Sequence, residues 1–247
     1  MKFRFFLVLM GVLISMGAFS LPKEAVSAMV ELDRAYIPAL GLSGQPDQKE
    51  KAKKALLAFE KTWTAFKDRY GKQGGFDAEW PEDLSRINQA VDRAKSALLD
   101  RSDAPKAHEA LEAVRMILLE SRTRQKIPYF IDTLTLFHNS MEDLLNGKPT
   151  AKMADWTETE RVNFAADLDI ARARWSKVKA AEGLLSDLAP EPKFLSTFET
   201  QWNTIDALLL SAKNSYAAGD QGSLDKSLNQ LKPAFIKTFF LFGNFPK

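Results

Sequence analysis

The stretch LSTFETQWNTIDALLLSAKNSY, residues 195–216, decides the fold. Its apolar side chains return at alternating intervals of three and four, so Leu195, Phe198, Trp202, Ile205, Leu209, Ala212 and Tyr216 form one seam along a helix. Working outward, the same spacing recurs along the whole chain. The seams are Ala25, Met29, Leu32 and Tyr36; Leu56, Phe59, Trp63, Phe66 and Tyr70; Leu84, Ile87, Val91, Ala94 and Leu98; and Ala107, Leu111, Val114 and Leu118. After these come Ile131, Leu134, His138, Met141 and Leu145, then Leu168, Ala171, Trp175 and Val178. Leu224, Leu228, Leu231, Phe235, Phe239 and Phe242 form the last. Strand-like alternation of every second residue is missing, so the pattern predicts an all-α protein of eight helices.

Helix breakers separate the seams: Gly44-Gln45-Pro46, Gly74-Gly75, Ile127-Pro128, Gly147-Lys148-Pro149 and Pro190-Glu191-Pro192. Asp103 is placed to cap the helix after it, and Thr157 with Glu160 fits a capping box. Pro233 inside the last seam predicts either a kink or the true start of that helix. The spacings also repeat. Leu56 and Trp63 are matched by Leu168 and Trp175, while Ala107, Leu111, Val114 and Leu118 are matched by Leu224, Leu228, Leu231 and Phe235. Leu32, Tyr36 and Ala39 align in the same way with Leu134, His138 and Met141. Four helices per half make one antiparallel bundle, so the expected organisation is two tandem four-helix bundles, 21–126 and 127–247.

Residues 1–20 read as an export leader. Lys2 and Arg4 precede an apolar run from Phe5 to Phe19, and Ala18-Phe19-Ser20 offers small residues for cleavage after Ser20. The run is short for a bilayer span, so the mature chain is expected in the periplasm or outside the cell and not integral to a membrane. Cleavage removes Lys2 and Arg4 from the 34 basic residues and none of the 32 acidic ones, leaving a neutral chain. Neutrality argues against nucleic acid as a partner. The chain has no cysteine, which excludes disulfides, thiolate metal sites and covalent haem attachment through C-x-x-C-H.

The final helix, Leu228-Asn229-Gln230-Leu231-Lys232 reached through the polar turn Gly219 to Ser223, resembles small periplasmic bundles of the cytochrome b562 and cytochrome c′ type. The resemblance implies a four-helix bundle in each half. Their haem-binding histidine would fall near Leu119 and Phe239, neither of which binds iron, so it does not imply their haem chemistry.

The chain has two histidines, each followed four residues later by glutamate: His108 with Glu112, and His138 with Glu142. Such pairs share one helix face, and imidazole with carboxylate suits copper, zinc or iron. His138 takes a seam position beside Met141, where a buried ring needs a partner for its nitrogens. An antiparallel turn at Ile127-Pro128 sets Glu112 level with about Met141 and His108 one turn beyond. His108, Glu112, His138, Met141 and Glu142 are therefore the candidate metal ligands. The competing expectation is a core histidine bonded to a neighbour, with the other histidine at the surface.

Other chemistry finds no support. His108-Glu109 with Glu112 lacks the second histidine of H-E-x-x-H, no E-x-x-H pair occurs, and no nucleophile elbow, phosphate loop or dinucleotide fingerprint is present. Phe235, Phe239 and Phe242 read as core, Phe240 and Phe245 as a cap or a contact surface. Lys51-Ala52-Lys53-Lys54 and Arg122-Thr123-Arg124-Gln125-Lys126 read as solvated faces, the second lying where it is also able to bridge the halves. The sequence thus predicts a non-catalytic exported protein that binds a transition metal, or else any other ligand of its surface or inter-bundle groove. The alternatives are a docking module for an envelope protein partner and, less favoured, noncovalent haem near His138 and Met141.

Overall fold

Eight α-helices carry the chain: α1 (Lys23–Ser43), α2 (Lys49–Tyr70), α3 (Trp80–Lys95), α4 (Ala104–Arg124), α5 (Phe130–Gly147), α6 (Glu158–Ala180), α7 (Pro192–Ala218) and α8 (Gln221–Phe240). This computed structural model describes residues 23–72, 75–188 and 192–246, and no strand occurs among them. The expected leader and its expected cleavage site lie outside the described residues, as do Gly74 and the Pro190-Glu191 part of one break. No helix among the described residues is long and apolar enough to cross a membrane.

The helix ends follow the local chemistry. Asp103 accepts a bond from the Lys106 amide at 3.1 Å, and Thr157 and Glu160 close a reciprocal capping box. Asp220 caps α8 after Gly219, whose φ of 72° is the left-handed conformation that glycine adopts without strain. Pro233 lies inside α8, which continues through it to Phe240. A wide π-type turn, Ser96–Asp100, extends α3.

Packing follows the expected repeat. α1 meets α2, α2 meets α3, α3 meets α4, and α4 returns to α1; the second half repeats the ring from α5 to α8. Trp63 in α2 and Trp175 in α6, the matched pair of the two halves, are both fully buried. Tyr36 is buried as well and donates its hydroxyl to the Leu111 carbonyl at 2.7 Å, tying α1 to α4. The halves join through α1 against α8 and α4 against α5, and one continuous apolar core runs through both. α1, α4, α5 and α8 are therefore the elements available to build a site between the halves.

Three local expectations change. In α7 the seam holds from Phe198 to Ala212, but Leu195 is exposed and Phe194 packs against the core in its place. In α5 the buried line is Leu134, Phe137, Met141 and Leu144, so His138 moves to the seam's edge and is half-buried. This helix packs against α4, α6 and α8, so more than one apolar line runs along it.

The third change corrects a misreading. Arg122 is not on a solvated face: it is 2% exposed. Its guanidinium grips Asp132 of α5 with both oxygens, Nη2 to Oδ1 at 2.6 Å and Nε to Oδ2 at 2.9 Å. It also lies 3.7 Å from Asp33 of α1 and 4.3 Å from the Tyr129 ring centroid. One buried cation thus faces two buried carboxylates where the halves meet. Burial holds Asp33 up at about 6 against the attraction of Arg122, with Asp132 adding repulsion.

Candidate functional site

A cleft of about 690 Å³ opens where α1, α4, α5 and α8 converge. Leu40 of α1 and Phe235, Ile236, Phe239 and Phe240 of α8 form its apolar walls. Gly41 lets the two halves close here, since Phe240 lies against it with no room for a β-carbon. Phe240 also packs on Phe245, 4.7 Å between ring centroids, and both rings lie partly buried against the core.

Polar side chains cross the cleft in an ordered string. His108 and Glu112 of α4 come first, with Nε2 and Oε1 separated by 3.7 Å. The other carboxylate oxygen of Glu112 pairs with Arg115. Arg115, buried on the same helix, donates from Nη2 to His138 Nδ1 at 2.9 Å, crossing from α4 to α5. The far nitrogen of His138 faces Glu142 Oε1 at 3.5 Å, and Lys232 of α8 lies 2.8 Å from that same oxygen. The register across the turn is the antiparallel one expected: Arg115 meets His138, and Asn139 meets Met116.

The two rings are in different states of engagement. A guanidinium only donates, so His138 Nδ1 is the acceptor and its proton sits on Nε2. Burial, reinforced by the Arg115 cation, pushes His138 down to about 3, so the ring is neutral at ordinary pH. His108 is held the opposite way. Its Nδ1 lies 3.0 Å from the Leu40 carbonyl, which only accepts, so Nδ1 carries the proton. Ser43 also donates to that carbonyl, at 2.7 Å. With Nδ1–H directed at Leu40, the His108 ring turns Nε2 toward Glu112.

Of the five candidate ligands, the structure brings His108, Glu112, His138 and Glu142 to one cleft. Met141 is not with them: its side chain is fully buried in the core. Among the described residues, no three histidine or acidic side chains come together closely enough to hold a metal ion. Arg115 and Lys232, which complete the string, escaped the sequence reading. Arg115 did leave a signal, standing four residues after Leu111 and three before Leu118, next to the seam. Searches against family models, curated proteins and solved structures find no match to this chain.

Proposed function

We propose that this chain is an exported, non-catalytic binding protein that holds a small organic molecule in the cleft between its halves. The observation that carries the reading is the cleft itself: about 690 Å³ bounded by four helices, with apolar walls and a string of polar groups across it. Ligand sites combine that size with an apolar lining and a few convergent polar groups. A non-catalytic role is favoured because His138 has its acceptor nitrogen engaged by Arg115 and stays neutral.

Metal binding is the second reading, and one observation favours it. Metal-ligating histidines commonly donate their other ring N–H to a backbone carbonyl, as His108 does to Leu40. Copper, zinc or iron would then bind His108 Nε2 and Glu112, with His138 excluded while Arg115 occupies its lone pair. Docking of an envelope protein is the remaining alternative.

Thermal-shift measurements separate the three. Organic ligands at 100 times their Kd stabilise by about 2.7 kcal/mol, roughly 5–10 °C for a chain of this size. The reading expects such shifts in the wild type and their loss in Ile236→Trp, which fills the cleft from a partly exposed position. Shifts with metal salts alone, abolished in His108→Leu, would replace it with the metal reading. No shift with either class would leave the docking module.

A further inference from the structure

His108 Nε2 and Glu112 Oε1 face each other at 3.7 Å across the mouth of an apolar cleft, and in the neutral form of the ring with Nδ1–H on Leu40 both are acceptors. The Leu40 carbonyl fixes the histidine tautomer, and Arg115 holds the other glutamate oxygen. Among the described residues no donor forms a hydrogen bond with Glu112 Oε1, so the protein supplies two acceptors and nothing to put between them. An occupant that brings its own O–H or N–H supplies the missing proton, shared between the two in a three-centre bond.

The charges select among such donors. Glu112 and Glu142 are balanced in the cleft by Arg115 and Lys232, each cation lying against one of the carboxylates. A ligand ammonium would leave water for a site with no net negative charge to receive it, which is unfavourable. A neutral donor loses far less hydration and makes the same bond. The walls select the body: half-buried Phe240 and exposed Ile236 present apolar surface to the cleft, backed by the buried Leu40, Phe235 and Phe239.

Resting on the cleft reading above, we propose that the occupant is a neutral aromatic amphiphile carrying a hydroxyl or N–H donor, its donor seated between His108 Nε2 and Glu112 Oε1. The ring system then lies along α8 against the phenylalanines, and the donor replaces water at the mouth.

The test is titration calorimetry with 2-naphthol and 2-methoxynaphthalene, which share a ring system and differ in the donor. The proposal expects 2-naphthol to bind five- to tenfold more tightly, in line with about 1 kcal/mol for a neutral hydrogen bond. His108→Leu should weaken that preference while leaving 2-methoxynaphthalene affinity in place. Glu112→Gln, which replaces the acceptor with an amide, should weaken the preference without removing the histidine. Ile236→Trp should block both probes. Equal affinities in the wild type, both lost in Ile236→Trp, would overturn the donor assignment and leave the cleft reading standing. A preference undiminished in both His108→Leu and Glu112→Gln would also overturn it. Binding of neither probe, or binding unaffected by Ile236→Trp, would overturn both.

Discussion

Replacing Asp33 with asparagine is expected to make the protein more stable at pH 7.5 and to change its response to acid. Burial raises Asp33 from 3.8 to about 6 in the folded chain, because the cost of desolvating its charge exceeds the attraction of Arg122 at 3.7 Å, with Asp132 adding a smaller repulsion. A carboxyl whose folded pKa is raised contributes stability below its unfolded pKa and loses it as pH rises through the folded value. The full span is about 3 kcal/mol, at 1.36 kcal/mol per unit, and about 2 kcal/mol of it falls between pH 4.5 and 7.5. His138 works in the opposite sense: held down at about 3, it loses stability as pH falls below its ordinary 6.5. The wild-type profile mixes the two, so the informative quantity is the variant minus the wild type at each pH. Urea unfolding followed by tryptophan fluorescence measures it. With a slope of about 2 kcal/mol per molar, Asp33→Asn should gain about 1 M in midpoint relative to wild type at pH 7.5 compared with pH 4.5. A difference that is the same at both pH values would refute the assignment of Asp33 as a buried, reluctantly ionised group.

Further outcomes follow from the same geometry. Arg122→Leu leaves two carboxylates buried without a cation and should lose about 3–5 kcal/mol, whereas Lys179→Ala, which breaks an exposed pair with Asp206, should lose under about 1 kcal/mol; urea midpoints rank them. The His138 ring should stay neutral from pH 8 to 4.5, so its imidazole NMR shifts should be flat over that range; a midpoint above 5 contradicts its burial beside Arg115. His138→Leu strands the Arg115 donor and should cost about 1–3 kcal/mol at pH 7.5, with a smaller loss on going to pH 4.5 than the wild type shows. Trp63→Ala and Trp175→Ala should each cost about 3–5 kcal/mol, and because one core runs through both halves, each variant should still unfold in a single calorimetric transition.

How much of this was legible in the chain differs from element to element. The three–four spacing is a local property, so Trp63, Trp175 and Leu209 could be placed in the core from their neighbours alone. On α5 the same rule misplaced the seam, because a helix packed against α4, α6 and α8 carries more than one apolar line and His138 belongs to the edge of one. The antiparallel register at Ile127-Pro128 could be counted directly, and it brought His108, Glu112, His138 and Glu142 to one cleft. Met141 was lost from the set because a rotation of a few tens of degrees about the helix axis turns a neighbouring residue from the cleft into the core. Arg122 was misread for a different reason. Its own surroundings, Arg-Thr-Arg-Gln-Lys, look like a water-facing run, and what buries it is Asp33, distant in sequence, together with Asp132 across the turn. Charge partners set by tertiary packing leave no trace in local spacing.

The most direct measurement is native mass spectrometry of the chain expressed from its full sequence and purified without an affinity tag, whose histidines would compete with His108. The account predicts a noncovalent organic mass at one per chain, absent from Ile236→Trp. A bare polypeptide mass, unchanged after incubation with small aromatic alcohols, or an adduct that is a metal ion alone, would contradict it.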